Sequence, residues 1–202
     1  MNYFITGIDT DSGKTLVSAV FCEAFGYDYW KPIQAGSPRD TEVVKALVSN
    51  KSIKFHAESY VLQTPASPHA AAKIDKVQIK LSEITLPVSD SLIIEGAGGC
   101  LVPLNDSDFV IDLISKLEAP VVLVADLYLG SINHTLLTIE ALTRRKIKIK
   151  GIVFNGESNP ESESIILKHS SLPCLLRIKR ESIIDTRIVR TYANQLITKW
   201  HE

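Results

Sequence analysis

Short apolar runs alternate along the chain with stretches whose apolar residues recur at three- and four-residue spacing. The runs at residues 3–6, 91–94, 121–125 and 151–154 are rich in β-branched residues and show no polar alternation, which predicts strands buried on both faces. Helical spacing predicts helices after Gly13 and over residues 41–49, 109–117, 133–145 and 189–199. Turn formers gather at 34–40, 96–108 and 156–164, each after a predicted strand, and no repeat, linker or low-complexity tract separates two bodies of sequence. The order predicts an α/β fold: a doubly wound, mainly parallel sheet with helices on both faces, formed by one domain over residues 1–202.

Composition narrows the class of partner. The 202 residues are 45% apolar, enough for a core that folds unaided. With 22 basic against 23 acidic residues the net charge is -1, so neither nucleic acid nor an anionic membrane is an expected partner and a small molecule is. Cys22, Cys100 and Cys174 are widely spaced and form no C-x-x-C pair, which argues against a disulfide framework or zinc knuckle and for a reducing cytoplasm. The start lacks the pattern of an export signal, and no segment reaches the ~18 uninterrupted apolar residues of a membrane helix.

Gly7-Ile-Asp-Thr-Asp-Ser-Gly13-Lys14-Thr15 follows the first predicted strand and opens a helix, the setting of a phosphate-binding loop of the P-loop NTPase kind. Glycines let the backbone fold round phosphate oxygens, the helix start presents free N–H groups, Lys14 supplies a charge and Thr15 a metal-binding hydroxyl. Five residues separate the two glycines where the usual pattern has four. Asp9 and Asp11 would repel a polyphosphate on their own, which suggests that the site also handles an amine or a metal.

Ser91-Leu-Ile-Ile-Glu95 is an apolar strand ending in a carboxylate, followed by Gly96-Ala97-Gly98-Gly99, where doubly wound sheets bind ligands. Glu95 is therefore a candidate Mg²⁺ ligand with Thr15, and Asp40 is the candidate third; Asp at a helix start also serves as an N-cap, and both readings of Asp40 stand. Tyr29-Trp-Lys31-Pro32-Ile-Gln-Ala-Gly36 reads as a second strand entering a loop, with Pro32 holding Lys31 extended; Lys31 either faces the phosphates or is a surface lysine. His69 and His134 have no metal spacing and read as structural, and Cys100 stands where it can line the pocket.

Together these pieces resemble the dethiobiotin synthetase family over nearly the whole chain. The matching segments are the phosphate loop, Lys31-Pro-Ile-Gln-Ala-Gly, Ser67-Pro-His69, Glu95-Gly-Ala-Gly-Gly, Pro103-Leu, Leu129-Gly-Ser-Ile-Asn133-His134 and Gly151-Ile-Val-Phe-Asn155. The resemblance implies a homodimeric enzyme in which 7,8-diaminopelargonate takes up CO₂ as a carbamate, is phosphorylated by MgATP and closes to dethiobiotin, releasing ADP and phosphate. On matching positions it implies that Asp11, Ser12, Gly13, Lys14, Thr15 and Leu16 hold the ATP phosphates, with Gly96, Ala97 and Gly98 beside them and Asn155 on adenine. Thr15, Asp40 and Glu95 would surround Mg²⁺, Lys31 and Lys14 would stabilise the reacting oxygens, and Thr10 would face the carbamate. Gly130, Ser131 and Asn133 would reach the neighbouring subunit's substrate carboxylate; read without the resemblance, Asn133 is equally a helix cap.

Ala35 stands where relatives often carry Ser or Thr, Leu176-Arg-Ile-Lys179-Arg180 where they commonly read Gly-x-Ile-Pro near the base, and Asp11 where Glu is commoner. The rival reading is a switch ATPase of the partitioning or nitrogenase-reductase type. Those carry an extra lysine just after the first glycine of the loop, where this chain has Ile8 and Asp9. An amide-forming relative with an appended glutaminase domain is not expected within 202 residues.

Overall fold

The computed structural model describes residues 1–200, so His201 lies outside the described residues. The chain runs β1 (Asn2–Gly7), α1 (Lys14–Phe25), β2 (Asp28–Trp30), β3 (Ile33–Ala35), α2 (Asp40–Leu47), β4 (Phe55–His56), β5 (Tyr60–Leu62), α3 (Pro68–Ile74), β6 (Leu92–Gly99), α4 (Val110–Leu117), β7 (Val121–Asp126), α5 (Ser131–Arg144), β8 (Ile149–Asn155), α6 (Pro160–Ser170), β9 (Cys174–Ile178) and α7 (Thr186–Lys199). Seven strands form one sheet in the order β4-β2-β6-β1-β7-β8-β9, every neighbouring pair parallel. The chain winds outward from β1 on one side, then crosses back from β6 to β7 on the other. The crevice beyond the C-terminal ends of β6, β1 and β7 is thus the switch point at which such sheets bind ligands.

Successive residues of one strand enter different cores. Tyr3 and Ile5 of β1 pack with Val17 and Phe21 of α1 and Val189 and Leu196 of α7, while Phe4 packs on the opposite face with Val110 and Ile114 of α4, Leu142 of α5 and Ile166 of α6. Both faces are covered, which is why the strand sequences show no polar alternation. Each fully buried Val, Leu, Ile or Phe contributes about 1.5–3 kcal/mol to that arrangement.

Several boundaries differ from the sequence reading. The strand expected to stop at Ile94 continues to Gly99, because small residues let β6 approach β1: a Cβ on Gly96 would stand 2.8 Å from the Phe4 ring. The segment 29–36 is broken in two. Pro32 has no N–H to give, its carbonyl accepts from the Ser59 and Tyr60 amides, and Ile33–Ala35 leaves the main sheet to pair with β5. The turn-rich segment 156–164 contains the start of α6, where the Asn159 side chain accepts from the Ser162 amide and Pro160 occupies the first turn.

Candidate active site

The phosphate loop joins β1 to α1. Gly13 lies at φ +93°, a conformation open to glycine, and from it the first turn of α1 leaves with no acidic residue to compete for its N–H groups. The Ser12 hydroxyl accepts from the Asp9 amide at 2.9 Å and donates to the Asp9 carbonyl at 3.0 Å, closing the loop on itself. The Lys14 ammonium donates to the carbonyls of Asp9 (2.8 Å) and Thr10 (2.6 Å). Burial, reinforced by the charge of Lys31, lowers the Lys14 pKa to about 8.

Lys31 stands at the C-terminal end of β2, where the break at Pro32 leaves its side chain beside β6. Its ammonium lies 2.5 Å from Asp40 Oδ2 and 3.1 Å from Glu95 Oε1, and also donates to the Gly96 carbonyl. Burial alone would lower its pKa, but Glu95 and Asp40 outweigh that and shift it upward. Glu95, almost fully buried, accepts from the Thr15 hydroxyl at 2.9 Å through Oε1 and from the Tyr29 hydroxyl at 2.9 Å through Oε2. Burial and Glu95 together raise the Tyr29 pKa well above its ordinary value, so it remains a donor. Asp40 begins α2 but caps no amide with its side chain; its carboxylate serves Lys31 instead.

Lys14, Thr15, Lys31, Asp40 and Glu95 line a cavity of about 650 Å³ that also takes in Thr10, Asp11, Gly13, Ala35, Ala97 and Gly98. Thr15, Asp40 and Glu95 offer it hard oxygen donors, the set that suits Mg²⁺ arriving with phosphate oxygens and water. Among the described residues no three His, Cys, Asp or Glu side chains gather as a ready metal cluster. Ser12 of the loop and Leu16 of α1 are buried, Gly96 serves through its carbonyl, and Asn155, at the end of β8, donates to the Ser12 carbonyl.

Gly130, Ser131 and Asn133 lie apart, at the N-terminus of α5, and do not line this cavity. Gly130 takes the cap position and Asn133 is exposed within the first turn, so Asn133 is not the cap. Cys100 also stays out of the main cavity. It lines a smaller one, of about 330 Å³, with Asp9 and His134, and burial raises its pKa to about 11. The His69 ring pairs with the Ser67 hydroxyl and the His134 ring with the Tyr128 hydroxyl.

Sequence reasoning missed two supporting residues. Tyr29 looked like any strand aromatic, yet its hydroxyl orients Glu95. Gln34 accepts from the Asp40 amide at 3.1 Å and donates to the Ala35 and Gly36 carbonyls, which fixes the turn that brings Asp40 to Lys31. The only signal for Gln34 was its place between Lys31-Pro and Gly36.

A parallel sheet with this loop at its switch point defines a P-loop nucleotide-binding protein, and residues 1–187 match the family described as AAA domain. Solved structures agree on the fold alone: the cell division ATPase MinD of Pyrococcus furiosus (15% identity, TM-score 0.58, covering 98% of this chain and 99% of that one) and a ParA family ATPase from Chlorobium tepidum (12%, 0.57, covering 98% and 95%). Curated relatives are far more similar in sequence. The ATP-dependent dethiobiotin synthetase of Cytophaga hutchinsonii is 53% identical over 99% of this chain and 98% of its own length, and that of Christiangramia forsetii 49% identical over 96% and 95%. The chain belongs to the ATP-dependent dethiobiotin synthetase family.

Proposed function

We propose that this chain, acting as one synthetase domain over residues 1–202, carboxylates 7,8-diaminopelargonate with CO₂ and closes it to dethiobiotin at the expense of ATP, a ligase step of biotin biosynthesis that forms carbon–nitrogen bonds. The observation that carries the reading is the Lys31 ammonium held between Asp40 and Glu95 at the mouth of the phosphate loop. In the first step one amine of the substrate adds to CO₂ and loses a proton, giving a carbamate. A carbamate oxygen then attacks the γ-phosphorus and ADP leaves, forming a carbamic-phosphoric anhydride. The second amine attacks the carbonyl carbon, phosphate departs with the former carbamate oxygen, and the ureido ring is closed.

Two anionic oxygens must meet in the second step. Lys14 and the α1 N-terminus hold the phosphates and Lys31 the carbamate, so the repulsion between them is offset by charges already in place. Mg²⁺, held by Thr15, Asp40 and Glu95, would add Lewis-acid neutralisation of the phosphate oxygens. No protein nucleophile is required. Thr10 faces the carbamate and Asn155 reads adenine.

The substrate carboxylate is received at the α5 N-terminus of a second subunit by Gly130, Ser131 and Asn133, which makes the working form a homodimer. Its support is the exposed apolar surface around that helix, where Leu129, Ile132 and Leu137 stand with Leu101 of the loop after β6. The free cysteines, and the absence among the described residues of any helix long and apolar enough to cross a membrane, are consistent with work in the cytoplasm.

The test is ADP release and dethiobiotin formation with MgATP and bicarbonate, with and without the diamine. Turnover that needs both substrates supports the reading. ATP hydrolysis indifferent to the diamine contradicts it and favours the switch ATPase.

A further inference from the structure

Asn155 ends β8 at the C-terminal edge of the sheet, in register with Asp126 of β7 and Ile178 of β9. Its Nδ2 donates to the Ser12 carbonyl at 2.9 Å, joining parts of the chain 143 positions apart. A carbonyl only accepts, so this contact decides which end of the side-chain amide meets the loop. A second observation reaches the same point from the other side: a Cβ placed on Gly13 would stand 2.3 Å from that Nδ2. The asparagine occupies the space a side chain at position 13 would need, and loop and strand are built against each other there.

The Ser12 carbonyl belongs to the same peptide plane as the Gly13 N–H, and in a trans peptide the two point in opposite directions. Holding the carbonyl toward β8 therefore presents the Gly13 N–H on the far side, at the start of α1. We infer that Asn155 is a positioning residue for the phosphate loop, setting the Ser12–Gly13 peptide for phosphate binding whether or not a nucleobase is bound. The inference rests on residues 7–15 being the phosphate site, and it adds to the base contact proposed above. One side chain then serves both ends of the nucleotide, so a base that engages Asn155 also tightens the loop.

A ligand without a base separates the two roles. Binding of magnesium tripolyphosphate and of MgATP is measured by titration calorimetry for the wild type, Asn155→Asp, which keeps the shape but sets an oxygen against the Ser12 carbonyl, and Asn155→Ala. Hydrogen exchange across residues 9–14 in the same ligand-free proteins reads the clamp with no ligand at all. Loss of one such bond is expected to weaken tripolyphosphate about fivefold in both variants and to speed loop exchange. Weaker ATP binding with tripolyphosphate affinity and loop exchange unchanged would mean that Asn155 only reads the base, and overturns the inference. A lower melting temperature with both affinities and loop exchange unchanged would mean a merely structural role, and overturns it too. Wild-type protein that binds neither ligand would overturn the phosphate-loop reading and this inference together.

Discussion

Lys14 and Lys31 are buried to the same degree, 5% and 4% exposed, and face one cavity, yet their pKa values move in opposite directions. Lys14 lies against the carbonyls of its own loop and is pulled down to about 8. Lys31 lies between two carboxylates and is pushed up. Burial lowers both; at Lys14 it decides the outcome, with the charge of Lys31 adding to it, whereas at Lys31 the adjacent Glu95 and Asp40 outweigh it. The contrast is one of partners: the Lys31 charge is compensated by two carboxylates, whereas Lys14 has carbonyls as its hydrogen-bond partners.

The largest effect is expected from breaking the compensated side. Lys31→Ala should lower kcat by about 10²–10³-fold, the range seen when a group stabilising developing charge is lost. It also removes the cation paired directly with buried Glu95 and with Asp40, so the melting temperature should fall. Steady-state kinetics and thermal melts check both.

On the Lys14 side the sign follows from its depressed pKa. Between about 8 and 10.5 the unfolded chain holds a proton at Lys14 that the folded chain has shed, so stability of the ligand-free protein should rise with pH across that window. ADP affinity should run the other way, flat below about pH 8 and falling by up to about tenfold per unit above it. Binding near pH 9 should take up a proton, measurable by calorimetry in buffers of different ionisation enthalpy. Lys14→Met should abolish both trends; an unchanged pH profile in that variant would show that another group titrates.

Tyr29→Phe sharpens the comparison by removing one of the groups that hold Glu95 beside Lys31. Loss of a hydrogen bond to a buried carboxylate should cost about 1.5–3 kcal/mol of stability and lower the gain in ADP affinity that Mg²⁺ confers, read as the ratio of dissociation constants in Mg²⁺ and in EDTA. The smallest effect is expected at Ala35, which lines the cavity without a polar group. Ala35→Ser should lower KM for the diamine about two- to tenfold and leave kcat unchanged.

Much of this site was legible because its signals are local. The glycines, Lys14 and Thr15 lie within one loop, and Glu95 follows directly on an apolar strand. The pairing of Lys31 with Asp40 was not legible, since it depends on the break at Pro32 and on the turn that Gln34 ties together. Tyr29 was hidden because a strand aromatic reads as packing until the partner of its hydroxyl is known. In the fold, the strand at Cys174–Ile178 escaped notice as a short run at the edge of the sheet, and α6 because its start, Asn-Pro-Glu-Ser, has the composition of a turn. The departure at Lys179 and Arg180 could be placed only with the register, which sets Ile178 beside Asn155 and leaves both cations exposed just beyond it.

In the proposed reaction a carbamate oxygen attacks the γ-phosphorus between Lys14 and Lys31. That step can be followed by turnover with ¹⁸O-labelled bicarbonate, unlabelled water, MgATP and the diamine, with mass analysis of the phosphate released. One bicarbonate-derived ¹⁸O is expected in each phosphate released, formed in step with dethiobiotin. Phosphate that carries no label while dethiobiotin accumulates would contradict it.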